Sequence, residues 1–230
     1  MDPMTQLILA TIAFVATHFL LSHPLRAALA ARLGETGFLG LYSLVALATL
    51  GWMVLAARAV PPMEPIWTAP VWFFAWAAPV VMLLASILLA GSLVGNPAFP
   101  NPGPKLPGVR PATGVFAITR HPMNWAFILW ALTHIALSGR PANLVIATGI
   151  LLLAFFGSML QDRKKETLLG DAWRGWEART SFVPFGALAA GTIPWRAAWP
   201  GWIALIGGIV IWAVASWLHA MPVGPLYWAL

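Results

Sequence analysis

With 230 residues, 60% hydrophobic and only 9% charged, the chain has too little charge to wrap a soluble core, since soluble domains carry about 25% charged residues. Its net charge of +6 comes from 13 Lys plus Arg against 7 Asp plus Glu, and the basic residues sit in short loops between apolar runs. That placement selects membrane topology and argues against nucleic acid as a partner.

The segment before the first apolar run has no basic residue, which makes it a poor signal peptide, so the first run is expected to stay as a helix. Six stretches reach or approach the roughly 17–25 apolar residues that cross a bilayer as helix: 6–21, 37–57, 71–94, 123–137, 142–160 and 201–221. The fourth is short, and it can begin before Arg120 and carry that residue into the headgroup layer. The expected fold is therefore all-α, a polytopic membrane bundle of about six transmembrane helices in a single domain over 1–230.

Two hydrophilic connections separate these runs. The first, 95–120, holds prolines at 97, 100, 102, 104, 107 and 111 and is too proline-rich to be helical. The second, 161–200, holds much of the chain's charge and can form an amphipathic helix on the membrane surface. If the N-terminus lies outside, eleven basic residues fall in inner loops and only Arg58 and Arg140 in outer ones. The alternation is unbroken across all five loops, so both termini are expected outside and 95–120 and 161–200 in the cytoplasm.

The chain has no cysteine, which removes disulfides, thiolate catalysis, Cys-ligated zinc, iron–sulfur clusters and c-type haem attachment. Metal or cofactor iron then depends on the five histidines or on carboxylates. Ionisable groups inside a bilayer are costly, so each is a functional candidate. His18 precedes Arg26 by eight residues, which sets it about 12 Å inside the inner boundary at about 1.5 Å per residue. It either hydrogen-bonds a neighbouring helix or ligates a metal. His23, beside Pro24 at the helix end, can reach water. Arg120 and His121 mark the start of the fourth helix and either bind an anionic headgroup or cofactor or anchor the helix end. His134 lies 14 residues past Arg120, about 21 Å up the helix. His219, near the outer end of the sixth helix, reads as interfacial.

Between 161 and 185 charges of both signs interleave with tryptophans. This stretch is either an interfacial helix with snorkelling basic residues and an aromatic belt, or a lid over an inner-surface site at which Glu166 and Arg120 meet.

Helical geometry sorts the histidines by depth. His18 and His23, and likewise His121 and His134, are each about 140° apart around their helix, so neither pair shares a face. The four form a deep pair, His18 and His134, and a surface pair, His23 and His121. Two deep histidines on facing helices are how a bundle holds a b-type haem, the cofactor this residue set suits best. Their expected depths differ by about 9 Å, which requires the fourth helix to start deeper or the helices to tilt.

At these residues the sequence resembles the NnrU family of bacterial membrane proteins. The resemblance rests on Thr17-His18-Phe19-Leu20-Leu21-Ser22-His23-Pro24-Leu25-Arg26, Leu33-Gly34-Glu35, Gly40-Leu41-Tyr42-Ser43-Leu44, Gly95-Asn96-Pro97, Thr119-Arg120-His121-Pro122-Met123-Asn124 and the stretch from Trp130 to His134. It covers roughly residues 5 to 185. The family's name ties it to nitrite and nitric oxide reduction in denitrifying bacteria, implying a multi-pass protein of the bacterial inner membrane. The family is similar to 15-cis-ζ-carotene isomerase, a membrane enzyme with a b-type haem between two histidines. That likeness puts the haem iron on His18 (or, one register away, His23) and His134, and the isomerase's backup cysteine ligand near Ala131.

A more distant resemblance, through Arg120-His121-Pro122, Glu166, Gly170, Trp173, Trp176 and Pro184, is to isoprenylcysteine and phospholipid methyltransferases. Those enzymes bind S-adenosylmethionine with an R-H-P turn and two adjacent glutamates; here the pair reads Lys165-Glu166. Three functions follow as expectations. One is a haem-b isomerase or redox enzyme on a lipophilic substrate, or a haem-dependent helper that meets nitric oxide. The others are a methyltransferase acting on membrane lipid, and a non-catalytic assembly or transport factor with structural histidines.

Overall fold

The structure, a computed structural model, describes residues 1–99 and 112–220, without the side chain of residue 220. The first helix, α1, spans Pro3–Ser22. Asp2 caps it by accepting from the Thr5 backbone N–H at 3.0 Å, with Pro3 at the first helical position, where no N–H is needed. Helix α2 spans Arg26–Ala59 but breaks at Gly34, whose φ of 70° suits glycine. The basic loop expected before residue 37 is thus a short helical arm carrying Arg26 and Arg32, bent off the apolar span.

Helix α3 spans Phe73–Ser92 and opens with a π-helical turn over Phe73–Ala77. A four-residue helix, α4, covers Val115–Ile118 in the second half of the proline-rich connection; prolines 100, 102, 104, 107 and 111 lie outside the described residues. Helices α5 (Pro122–Leu137) and α6 (Pro141–Leu169) both start with proline at the first turn. Helices α7 (Asp171–Arg179), α8 (Gly186–Ala189) and α9 (Trp202–Ala220) complete the chain, and the expected end of the last span at Met221 lies outside the described residues. Among the described residues there is no strand, only an isolated bridge between Thr68 and Ser138.

Among the described residues five helices are long and apolar enough to cross a membrane, and α5, at 16 residues, is a shorter apolar helix beside them. An all-α membrane bundle is what forms. The major helix pairs are α2 with α1, α1 with α6, α6 with α5, α5 with α3, and α3 with α9, so the spans follow one another in that order rather than in chain order. Close approach depends on small residues, as expected where lipid supplies no hydrophobic drive between helices. Gly149 of α6 packs directly on Thr11 of α1, and Gly208 of α9 on the backbone of Ile87 in α3.

Helix α6, with 29 residues, is about 44 Å long and outruns the roughly 30 Å hydrocarbon layer. Its inner end carries Asp162, Lys164, Lys165 and Glu166 out of the span, and Gly170 (φ 54°) then turns the chain into α7. Helix α7 is amphipathic, as its charge pattern suggested, but Trp173 and Trp176 are each 1% exposed and pack with Leu88, Phe116 and Ala126. These tryptophans are core residues sealing the inner end of the bundle, not an aromatic belt. A Cβ at Gly170 would meet nothing, so Gly170→Ala isolates the backbone penalty. It is expected to lower stability by about 1–2 kcal/mol. Gly175→Ala, within α7 and equally unobstructed, is expected to be neutral or slightly stabilising. Thermal unfolding in detergent checks both.

Candidate functional site

The candidate residues divide between an ion cluster at the start of α5 and a cavity among the long helices. The cluster forms where α5 begins. His121 caps α5, its side chain fully buried, and its Nε2 lies 2.9 Å from Asp162 Oδ1. Arg120 donates from Nε (2.8 Å) and Nη2 (2.7 Å) to Asp162 Oδ2, and Glu177 lies 3.8 Å from Arg120. Burial, then the Asp162 charge, raises the Glu177 carboxyl above its ordinary value, with Arg120 working the other way. The segment after α7 clamps the same turn. The Phe182 carbonyl accepts from Thr119 Oγ1 (2.7 Å) and Trp125 Nε1 (2.8 Å), while the Arg120 N–H donates to the Ser181 carbonyl at 2.9 Å.

The expected meeting of Arg120 with Glu166 therefore does not occur. Glu166, one helical turn beyond Asp162, has passed the end of the bundle and pairs with Arg174 at 3.4 Å. Asp162, which sequence reasoning passed over, is the same-face carboxylate one turn nearer the membrane and takes Arg120 instead. With Arg120 and His121 both bound to Asp162, this turn is occupied by the protein itself.

The cavity, about 470 Å3, lies among α1, α2, α5 and α6. His18, His23, Tyr42, Phe127, Gly157 and Lys164 are among its lining residues, and most of its wall is apolar. Leu50 and Phe127 line it and are 39% and 40% exposed, so the cavity is not sealed beside them. His18 sits between Phe14 and Tyr42, with ring centroids 4.3 and 5.5 Å away, and its Nδ1 is 2.6 Å from the Phe14 carbonyl one turn back. Burial, then Lys164, holds His23 below its usual pKa.

His134 repeats the His18 arrangement, with Nδ1 2.8 Å from the Trp130 carbonyl. A carbonyl fixes the proton on Nδ1 and leaves Nε2 as the coordinating nitrogen, the arrangement metal-ligating histidines use. His134 follows Phe127 by seven residues, about two turns and about 10 Å further along α5, and is not among the residues that line the cavity.

Depth can be read against α6. Thr11 packs on Gly149, and the Asn124 amide donates to Ser158 Oγ at 2.8 Å. His18 is then level with about residue 156 of α6 and His134 with about residue 148, a backbone offset of about 12 Å. Side chains lean toward their helix N-terminus, so the opposite leans of His18 and His134 narrow this offset. The ring that His134 meets is that of His219, 6.0 Å away; His219, expected as merely interfacial, is exposed but adjoins a candidate ligand. Among the described residues no group of three or more His, Asp or Glu side chains could hold a bare metal ion.

The family described as "NnrU protein" matches residues 6–225, nearly the whole chain. The chain belongs to the NnrU family. This NnrU-family chain is also similar to the chloroplastic 15-cis-zeta-carotene isomerases of Zea mays and Arabidopsis thaliana, in each case 32% identical over 79 residues. That likeness covers 34% of this chain and 22% of either isomerase, so the chain spans about a fifth of the length of the curated relatives it matches. No solved structure matches.

Proposed function

We propose that this NnrU-family protein is an isomerase-like membrane enzyme that admits a lipophilic substrate from the bilayer into the cavity of His18. We further propose that a b-type haem held by His18 and His134 is its cofactor. The observation that supports the reading is that His18 in the cavity wall and His134 on α5 each have Nδ1 tied to their own helix and Nε2 left for a ligand. Their donor chemistry fits a haem, and the lean of the two rings narrows their difference in depth. Bound there, haem would supply one-electron chemistry at the iron next to an apolar chamber.

The chain's own residues provide the rest. Phe14 and Trp130 fix the imidazole tautomers through their carbonyls. The apolar wall excludes water, and the opening beside Leu50 and Phe127 gives a lipid-dissolved molecule its way in. The proposed setting is the bacterial inner membrane with both termini outside, which the distribution of basic residues supports.

Absorption spectroscopy of the detergent-purified protein tests the reading. The wild type is expected to show a Soret band, and His18→Ala and His134→Ala are each expected to lose it, while His23→Ala keeps it. A wild type that stays colourless after haemin titration sinks the cofactor. A haem that binds nitric oxide in a protein that converts no polyene would favour an accessory role in nitrogen-oxide reduction.

A further inference from the structure

A second chamber, about 220 Å3, adjoins the cavity and is lined by three cationic side chains. Arg26, Lys164 and Lys165 line it together with the Ser22 and Tyr42 hydroxyls and the Gln161 amide. Among the described residues, the one carboxylate facing these cations is Glu35, already ion-paired with Arg26. The nearby Asp162 is taken by Arg120 and His121, and Glu166 by Arg174. Three cations thus face one carboxylate, leaving an excess of two positive charges. Lys165 is 8% exposed and donates to the Phe99 carbonyl at 2.9 Å; Lys164 is half-buried, with no hydrogen-bond partner among the described residues.

Membrane-edge lysines ordinarily snorkel outward. Arg163, the preceding residue, does this and is exposed. Lys164 and Lys165 turn inward instead, where an uncompensated ammonium is unfavourable without an anion. The charged chamber and the apolar cavity share Ser22, Tyr42, Gln161 and Lys164 among their lining residues, so a polar space directly adjoins an apolar one.

We propose that the adjoining chambers bind a membrane amphiphile with an anionic head, its carboxylate or phosphate against Lys164, Lys165 and Arg26 and its apolar tail in the cavity of His18. An oxyanion at that point would make charge-assisted hydrogen bonds with both lysines, and the tail would replace lipid contacts with apolar wall. The assignment uses the same cavity as the isomerase reading but needs neither haem nor turnover, so either can fail alone.

Native mass spectrometry of the full chain in a neutral detergent tests it. The probes are oleate against methyl oleate, phosphatidic acid against phosphatidylcholine, and inorganic phosphate as a head without a tail. Each anionic amphiphile that fits is expected to bind about tenfold or more tighter than its neutral counterpart. Comparing oleate with phosphatidic acid distinguishes a carboxylate head from a phosphate one. Lys164→Gln, alone and with Lys165→Gln, is expected to remove that preference, whereas Arg163→Gln leaves it intact. The single variant serves should the double one unfold.

Equal binding of charged and neutral probes overturns the proposal, as does a preference that survives both lysine changes. Competition by inorganic phosphate as strong as that by the amphiphiles would show a site for a free anion and overturn it too. If the lysine changes strip a Soret band yet leave amphiphile binding unaltered, the cluster serves the carboxylates of a haem and the proposal falls.

Discussion

Asp162→Ala is expected to destabilise the protein by about 3–5 kcal/mol, the usual consequence of removing one partner from a buried ion pair. The Asp162 side chain is 11% exposed, Arg120 14% and His121 fully buried, so little water is available to replace the lost carboxylate. Arg120 would keep only Glu177, 3.8 Å away, and His121 Nε2 would lose its acceptor. The cluster also joins the start of α5 to the inner end of α6, so its loss frees the turn on which Thr119 and Trp125 are clamped to Phe182. Thermal or chemical unfolding in detergent measures the effect. Arg120→Ala combined with Asp162→Ala is expected to cost less than the two single changes added together, since Arg120 and Asp162 bind each other and the double variant removes both at once. A loss below about 1 kcal/mol for Asp162→Ala, the level of an exposed pair, would show that solvent reaches the cluster.

Gly208→Ala is expected to cost about 1–3 kcal/mol by overpacking the seam between α3 and α9. A Cβ there would stand 2.6 Å from Ile87 Cα and 2.8 Å from Ile87 N, and backbone atoms of a packed helix cannot turn aside as a side chain can. The helices would have to separate along their whole contact, and α9 has α3 as its principal neighbour. Gly207→Ala, facing only the Ala90 methyl at 3.2 Å, is expected to cost clearly less, and Gly51→Ala, with nothing within 4 Å, to be neutral or slightly stabilising. Unfolding midpoints of the three variants side by side check this order. If Gly208→Ala proved as mild as Gly51→Ala, α9 would not be seated on α3 as described.

Much of the fold is legible along the chain because spanning a bilayer is a local requirement. A run of apolar residues must form a helix to satisfy its own backbone. Hence the stretches read as 6–21 and 123–137 reappear as Pro3–Ser22 and Pro122–Leu137. The extension of α6 to Leu169 was less visible, because helix can continue in water once its polar residues no longer need lipid. Asp162 was hidden for a related reason. It sits in a run of charged residues, and only the height at which α5 begins shows which carboxylate Arg120 can reach. Lys164 and Lys165 carried a faint signal, two cations directly after an apolar span, but that is equally the pattern of snorkelling residues.

The sequence by itself determined that the protein lives in a membrane and where its helices run, since composition and apolar run length suffice for these. The tertiary structure decided which helices are neighbours, that Arg120 and His121 meet Asp162, that Trp173 and Trp176 are core, and that the lysines of α6 face a chamber rather than the headgroups. Those outcomes depend on how each helix is rotated and how deep it sits. In lipid, both are set by contacts between small residues on partner helices, which a single chain read in order does not reveal.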